Sequence, residues 1–270
     1  MRRAQILVID SGLGGLTVLA DIRRLLPDIG VTYIADNAAF PYGQWSPGAL
    51  AERLVRMAAS ACKARAYDAV VLACNTASTT SLAALRSALA IPVVGVVPAI
   101  KPAGEQSTTR IIGLLATPAT VDTPYVGELV AQFASDCHVI RVGPPDLADL
   151  AETHCGGRTV DEQRLSAILS PFFGADAPDV DTVVLGCTHY PLLLDLLRPL
   201  APKHVRWLQP GPAVARRLAQ VLRPELPQRP AEDDTIVFTA ALTLTDAQRR
   251  LLDRHGLHKV EQRAALPVST

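Results

Sequence analysis

The feature that most limits the folds open to this chain is an internal repeat. Asp68-Ala-Val-Val-Leu-Ala-Cys74-Asn-Thr recurs as Asp181-Thr-Val-Val-Leu-Gly-Cys187-Thr-His. Chance explains Val-Val-Leu in two buried strands. It explains an aspartate before and a cysteine after both copies far less well. Ile6-Leu-Val-Ile-Asp10-Ser11 has a looser counterpart in Ile111-Ile-Gly-Leu-Leu-Ala-Thr117-Pro118. Two similar units are implied, each carrying a cysteine where a buried strand ends.

Short apolar runs punctuate the chain at 6–9, 31–35, 69–73, 93–97, 111–115, 138–142, 182–185, 205–208 and 235–238. Several are apolar at every position, as in a parallel sheet covered on both faces. Helical patterns lie between them. Ser46-Pro47 supplies an N-cap and a first-turn proline for a helix running to about Ala66. Thr245-Asp246 opens another, which Gly256 ends. Alternating strands and helices predict α/β architecture with right-handed βαβ units. In such sheets ligands sit at the carboxyl ends of the strands, where both cysteines fall.

Composition narrows the function classes. The 26 basic and 26 acidic residues cancel, which argues against a groove held by phosphate contacts, so no nucleic acid is expected. The apolar run Ile6–Ile9 is too short for a signal peptide, and no run reaches membrane-spanning length. The chain reads as soluble and cytoplasmic. Five cysteines without a CxxC pair suggest neither a disulfide framework nor a zinc knuckle. Cys62, Cys137 and Cys155 read as structural.

Cys74 and Cys187 read differently. Each ends a strand and begins a helix, where free backbone N–H groups attract anions and lower a thiol's pKa. Asn75, Thr76 and Thr188 add neutral donors, with no Arg or Lys in either motif. If the units face each other, two thiols flank one ligand. A thiolate then removes a proton from one face of a carbon while a thiol delivers one to the other. Amides around a carboxylate would stabilise the carbanion. Asp10 and His189 are supporting candidates, Asp10 also reading as a helix N-cap. Gly12-Leu13-Gly14-Gly15 is not Gly-x-Gly-x-x-Gly and reads as a tight turn into a helix from Leu16 to Leu26. The lysines Lys63, Lys101, Lys203 and Lys259 lie outside the motifs, which gives no support for a pyridoxal phosphate Schiff base.

Taken together, Asp10-Ser-Gly-Leu-Gly-Gly-Leu-Thr-Val-Leu19, Pro41-Tyr-Gly43, Ala73-Cys-Asn-Thr-Ala-Ser78, Ala116-Thr-Pro-Ala-Thr120 and Leu185-Gly-Cys-Thr-His-Tyr-Pro-Leu-Leu193 resemble bacterial glutamate racemases. The resemblance implies cofactor-independent interconversion of L- and D-glutamate, supplying D-glutamate for peptidoglycan, with no metal. It implies two pseudo-symmetric α/β domains with the site between them. The chain would cross near Pro98 and return near Pro210, giving 1–97 plus 210–270 and 98–209. Cys74 and Cys187 would be the acid/base pair. Asp10, Ser11, Tyr42, Gly43, Asn75, Thr76, Thr188 and His189 would line the substrate, with Thr117, Thr120 and Glu152 nearby. Homodimers are among the assemblies implied. The chain departs from the pattern at Gln209, where the family usually has Asp, and at Trp45. Other readings are a racemase of aspartate or a hydantoin, and a two-lobed amino-acid-binding protein. The first is separated by comparing L-aspartate with L-glutamate turnover. The second has no use for twin thiols.

Overall fold

The computed structural model describes residues 4–222 and 233–263. Ten strands form two sheets. They are β1 (Gln5–Asp10), β2 (Gly30–Ala35), β3 (Ala69–Leu72), β4 (Val93–Gly95), β5 (Ile111–Ala116), β6 (His138–Val142), β7 (Thr182–Gly186), β8 (Arg206–Leu208), β9 (Thr235–Phe238) and β10 (Lys259–Gln262). The first sheet runs β10-β9-β2-β1-β3-β4 and the second β6-β5-β7-β8. Every pairing is parallel. The repeat is thus topological as well: β2-β1-β3-β4 and β6-β5-β7-β8 follow one order.

The central strands of both sheets are buried on both faces, which is why they read as apolar runs. In β1 and β3, Ile6, Val8, Ala69 and Val71 pack into one core, while Leu7, Ile9, Val70 and Leu72 pack into the other. In the second sheet Leu115, Val183 and Leu185 face one core, and Ile112, Leu114 and Val184 the other. β10 carried no such signal. It is a polar edge strand, Lys-Val-Glu-Gln, and charge on an edge deters strand addition.

The helix boundaries follow their signals closely. Ser46 Oγ accepts the Ala49 N–H and the helix runs Pro47–Ala64. Thr245 and Gln248 form a capping box at the head of helix Asp246–Arg254. Gly256 beyond it takes φ +66°, a left-handed position that favours glycine. The first helix is Leu16–Leu25. Helix Gly211–Val221 returns to pack against it, bringing the chain back to the first sheet after β8.

The aspartates that open the repeated motif do equivalent work. Asp68 Oδ2 accepts the Gln5 N–H at 2.8 Å, tying the start of β3 to the start of β1. Asp181 accepts the N–H groups of Thr108 and Thr109 at 2.5 and 3.0 Å and the Ser107 hydroxyl at 2.8 Å. That ties the start of β7 to the approach to β5. Among the described residues no helix is long and apolar enough to cross a membrane.

Candidate active site

In each sheet the chain leaves its first strand toward one side and its third toward the other, so a crevice opens where those two strands end. β1 ends at Asp10, β3 ends two residues before Cys74, and β5 and β7 end one residue before Thr117 and Cys187. The two crevices face each other. The residue two places after each cysteine crosses to the other unit's first turn. Thr76 Oγ1 lies 3.2 Å from both Thr117 Oγ1 and Thr120 Oγ1. His189 lies against Gly12 and Gly14. Thr17 Oγ1 adds a bond to the Thr188 carbonyl at 3.0 Å.

Both thiols are nearly buried, Cys74 at 8% and Cys187 at 7% exposure. Cys74 is the N-cap of helix Asn75–Ala88. Burial pushes its thiol well above the usual range, and the Asp10 carboxylate and Cys187 add to this. The backbone N–H groups of Ala77 and Thr76 pull the other way. Cys187 departs from the expectation of a helix start. It is followed by a 3-10 helix, Tyr190–Leu193, and only then by the short α-helix Leu194–Leu197. The amide cradle read for the first thiol is therefore not repeated at the second.

What stands beside Cys187 instead is a pair of side chains. His189 Nδ1 lies 4.0 Å from its sulfur, and Nε2 lies 2.9 Å from Glu152 Oε1. Burial would drive this imidazole toward its neutral form, but Asp10, Cys187 and Glu152 outweigh that and hold its pKa well above the ordinary value. For Glu152 burial pushes upward, and His189 with the Leu13 N–H brings the carboxyl below its usual range. Imidazolium and carboxylate form an ion pair, with Nε2–H donating.

Asp10 stands where β1 meets the turn that leads into the first helix. Its Oδ2 accepts the N–H of Gly15 at 2.9 Å and of Gly12 at 3.3 Å, tying the turn before the first helix to the end of β1, while Gly15 itself is the N-cap. Its Oδ1 is buried without a partner among the described residues, as are both side-chain polar atoms of Asn75 and Oγ1 of Thr188. Burial raises the Asp10 carboxyl above its usual range, against the pull of His189 and the Gly15 N–H. Ser11 is buried beside it.

Tyr42 is also buried, but its hydroxyl donates to Asp36 Oδ2 at 2.9 Å and so points into the first unit. Gly43 in the same 3-10 turn faces the second unit, where a Cβ would stand 3.4 Å from Ala119. The rings of Phe40 and His189 lie 5.4 Å apart. Trp45 Nε1 donates to the Ala39 carbonyl at 3.0 Å, bracing this loop. Asp36 went unnoticed in the sequence, although it directly follows the apolar run of β2, as Asp10 ends that of β1. Among the described residues no group of three His, Cys, Asp or Glu side chains is placed to hold a metal ion.

Two solvent-shielded thiols thus stand at facing strand ends, with the buried groups Asp10 Oδ1, the Asn75 amide and Thr188 Oγ1 unpaired among the described residues. Comparison with known proteins agrees with this geometry. A model of the Asp/Glu/hydantoin racemase family matches residues 6–218. The chain is 45% identical over 267 residues to a glutamate racemase of Salmonella gallinarum, covering 98% of this chain and 93% of that protein. A Klebsiella pneumoniae glutamate racemase is 44% identical over 261 residues, covering 96% and 92%. Among solved structures, Escherichia coli glutamate racemase in complex with L-glutamate and the activator UDP-MurNAc-ala superposes with TM-score 0.92 at 42% identity, over 98% of this chain and 100% of that one. Glutamate racemase isoform RacE1 from Bacillus anthracis gives 0.77 at 27% identity, over 100% of both chains. The chain belongs to the Asp/Glu/hydantoin racemase family, and within it to the glutamate racemases.

Proposed function

We propose that this protein interconverts L- and D-glutamate with Cys74 and Cys187 as the two bases. In one direction the thiolate of one cysteine takes the Cα proton and the thiol of the other delivers a proton to the opposite face. In the other direction the roles exchange. The single observation that carries this reading is the pair of nearly buried cysteines at the facing strand ends of a duplicated fold. The L-glutamate bound to the Escherichia coli relative supports glutamate as substrate.

The buried groups without partners suit an amino acid. Leaving one such group unsatisfied costs about 1–3 kcal/mol, and a bound ligand recovers that. Asn75 and Thr188 offer donors for a carboxylate, and Asp10 Oδ1 offers an acceptor for an ammonium. Ser11, Thr76 and the Tyr42–Gly43 turn complete the wall in this reading, with Thr117 and Thr120 beyond. His189 and Glu152 serve Cys187. We further propose domains of 1–97 plus 210–270 and 98–209, supported by the division of strands between the sheets. The product D-glutamate would feed peptidoglycan synthesis in the cytoplasm, and a homodimer is the assembly the resemblance favours.

The test is incubation with L-glutamate in deuterium oxide, following optical rotation and loss of the Cα proton by NMR. Decay of rotation with deuterium entering Cα is expected. Flat signals with glutamate but reaction with L-aspartate would overturn the substrate and keep the two-thiol chemistry. Flat signals with both would overturn the racemase reading.

A further inference from the structure

The turn Gly12–Leu13–Gly14 follows β1, and two of its backbone nitrogens reach the other unit. The Leu13 N–H donates to Glu152 Oε1 at 2.6 Å. Gly14 N lies 3.3 Å from His189 Nε2, in contact with the edge of the imidazole. Neither glycine is in the left-handed region; among the described residues the glycines there are Gly157 and Gly256. The backbone of the turn therefore does not need glycine. The approach does. A Cβ on Gly12 would stand 2.2 Å from Glu152 Oε1, and one on Gly14 2.3 Å from His189 Nδ1 and 2.6 Å from Cγ. Two positions are bare of Cβ, each against a different member of one ion pair.

We infer that Gly12–Leu13–Gly14 is a positioning device for the second thiol, holding Glu152 and His189 in the arrangement that serves Cys187 only while the two units are closed on each other. The inference rests on the two-thiol reading above. An imidazole acts on a neighbouring thiol only if a partner fixes its ring and tautomer. Glu152 is that partner, and the Leu13 N–H fixes Glu152 in turn. The hydrogen bonds that hold Asp10 beside Cys74 do not cross between units: they come from the Gly12 and Gly15 N–H groups. Separation of the units would break the Leu13 bond to Glu152 beside Cys187 and leave the Gly12 and Gly15 bonds to Asp10 in place. The charged and titratable groups facing His189 are Asp10 beyond β1, Glu152 and Asp149 on helix Leu147–Cys155, and Cys187 on its own segment. The bond from the Leu13 N–H to Glu152 crosses between units and orients the pair.

The experiment is alkylation of the full-length protein by iodoacetamide across pH, with Cys74 and Cys187 quantified separately by peptide mapping. The variants are Gly12→Ala, Gly14→Ala, Glu152→Gln, Glu152→Ala and Gly12→Ala in the Glu152→Ala background. Either glycine variant is expected to lower the Cys187 rate at pH 7, relative to its high-pH plateau, by about tenfold. Cys74 should change less than twofold. In the Glu152→Ala background Gly12→Ala should have no further effect, because the carboxylate it would displace is gone. Glu152→Gln keeps the shape and should slow the alkylation of Cys187 alone, which preserves the test if a glycine variant fails to fold. Equal changes at both cysteines, or additive losses in the double variant, would overturn the inference. Alkylation needs no turnover. A wild type that fails to racemise glutamate while showing the split would overturn the proposed function and not the positioning.

Discussion

Arg53 meets Asp36 through two parallel hydrogen bonds, Nε to Oδ2 at 2.7 Å and Nη2 to Oδ1 at 2.5 Å, beneath the loop that carries Tyr42 and Gly43. Asp36 is fully buried and Arg53 is 7% exposed. Two further donors complete the carboxylate, the Tyr42 hydroxyl at 2.9 Å and the Thr239 hydroxyl at 2.6 Å. Arg53 comes from helix Pro47–Ala64 and Thr239 from the end of β9, so the charge pair joins three segments under one wall of the cleft.

Removing one partner of a buried pair strands the other charge, at a cost of about 3–5 kcal/mol. Arg53→Ala is therefore expected to lower stability by about that amount in urea unfolding, and to raise KM by loosening the loop. Tyr42→Phe removes one of four donors to a carboxylate still held by the other three. It should cost about 1–2 kcal/mol. Equal costs for the two variants would mean that the guanidinium contributes no more than a neutral hydroxyl.

Asp181 provides a pH-dependent test of the second sheet. Burial pushes its carboxyl up, but the N–H of Thr109, the Ser107 hydroxyl and the N–H of Thr108 bring it from the ordinary 3.8 to about 2. A folded pKa below the unfolded one stabilises the protein above the unfolded value, and the contribution fades as pH falls from about 4 toward 2. The shift corresponds to about 2 kcal/mol. Asp181→Ala should lower stability at pH 7 by at least that much. The gap to wild type should narrow on acidification below pH 4, read by denaturant melts across pH. A gap independent of pH would assign the loss to packing alone.

The repeated motif made much of this architecture legible because three of its features have separate physical jobs. The aspartate ties two strand starts together, Val-Val-Leu fills both faces of the sheet, and the cysteine stands at the crevice. Strands with such two-sided burial announce themselves; β10, polar and at an edge, does not. Cys74 at a helix start could be read from its local sequence. The surroundings of Cys187 could not, because Glu152 lies on a distant helix and the turn that fixes it lies on the opposite unit. The glycines of that turn read as backbone punctuation when their reason is a neighbour far away in the chain. Asp36 and Arg53 were silent for the same reason, since pairing across an α/β layer leaves no periodic trace.

The two thiols should fail together when either is lost. The enantiomers of glutamate have equal free energies in water, so kcat/KM in the two directions must be equal for any variant. Cys74→Ser and Cys187→Ser are each expected to lower it by about 10²–10⁴. An asymmetry between the thiols can appear only in kcat and KM separately, measured from each enantiomer by circular dichroism. A serine variant with more than a tenth of wild-type kcat/KM would remove that cysteine from the chemistry.

Asp10 separates activity from stability. Its carboxyl is raised by burial. A group whose folded pKa exceeds its unfolded value stabilises the fold below the unfolded pKa and loses that contribution as pH rises through the folded one. Above its raised pKa the Asp10 carboxylate is thus a cost to the fold, retained beside Cys74. Asp10→Asn keeps an oxygen for the Gly15 N–H and removes the charge. Its melting temperature at pH 7 to 8 should equal or exceed that of wild type, while kcat falls by about 10²-fold. The carboxylate also raises the Cys74 thiol, so alkylation of Cys74 in Asp10→Asn should begin at lower pH than in wild type. If Asp10→Asn instead melts lower at every pH and leaves the Cys74 profile in place, Asp10 acts as a tie for the turn before the first helix and not as a charge beside the thiol.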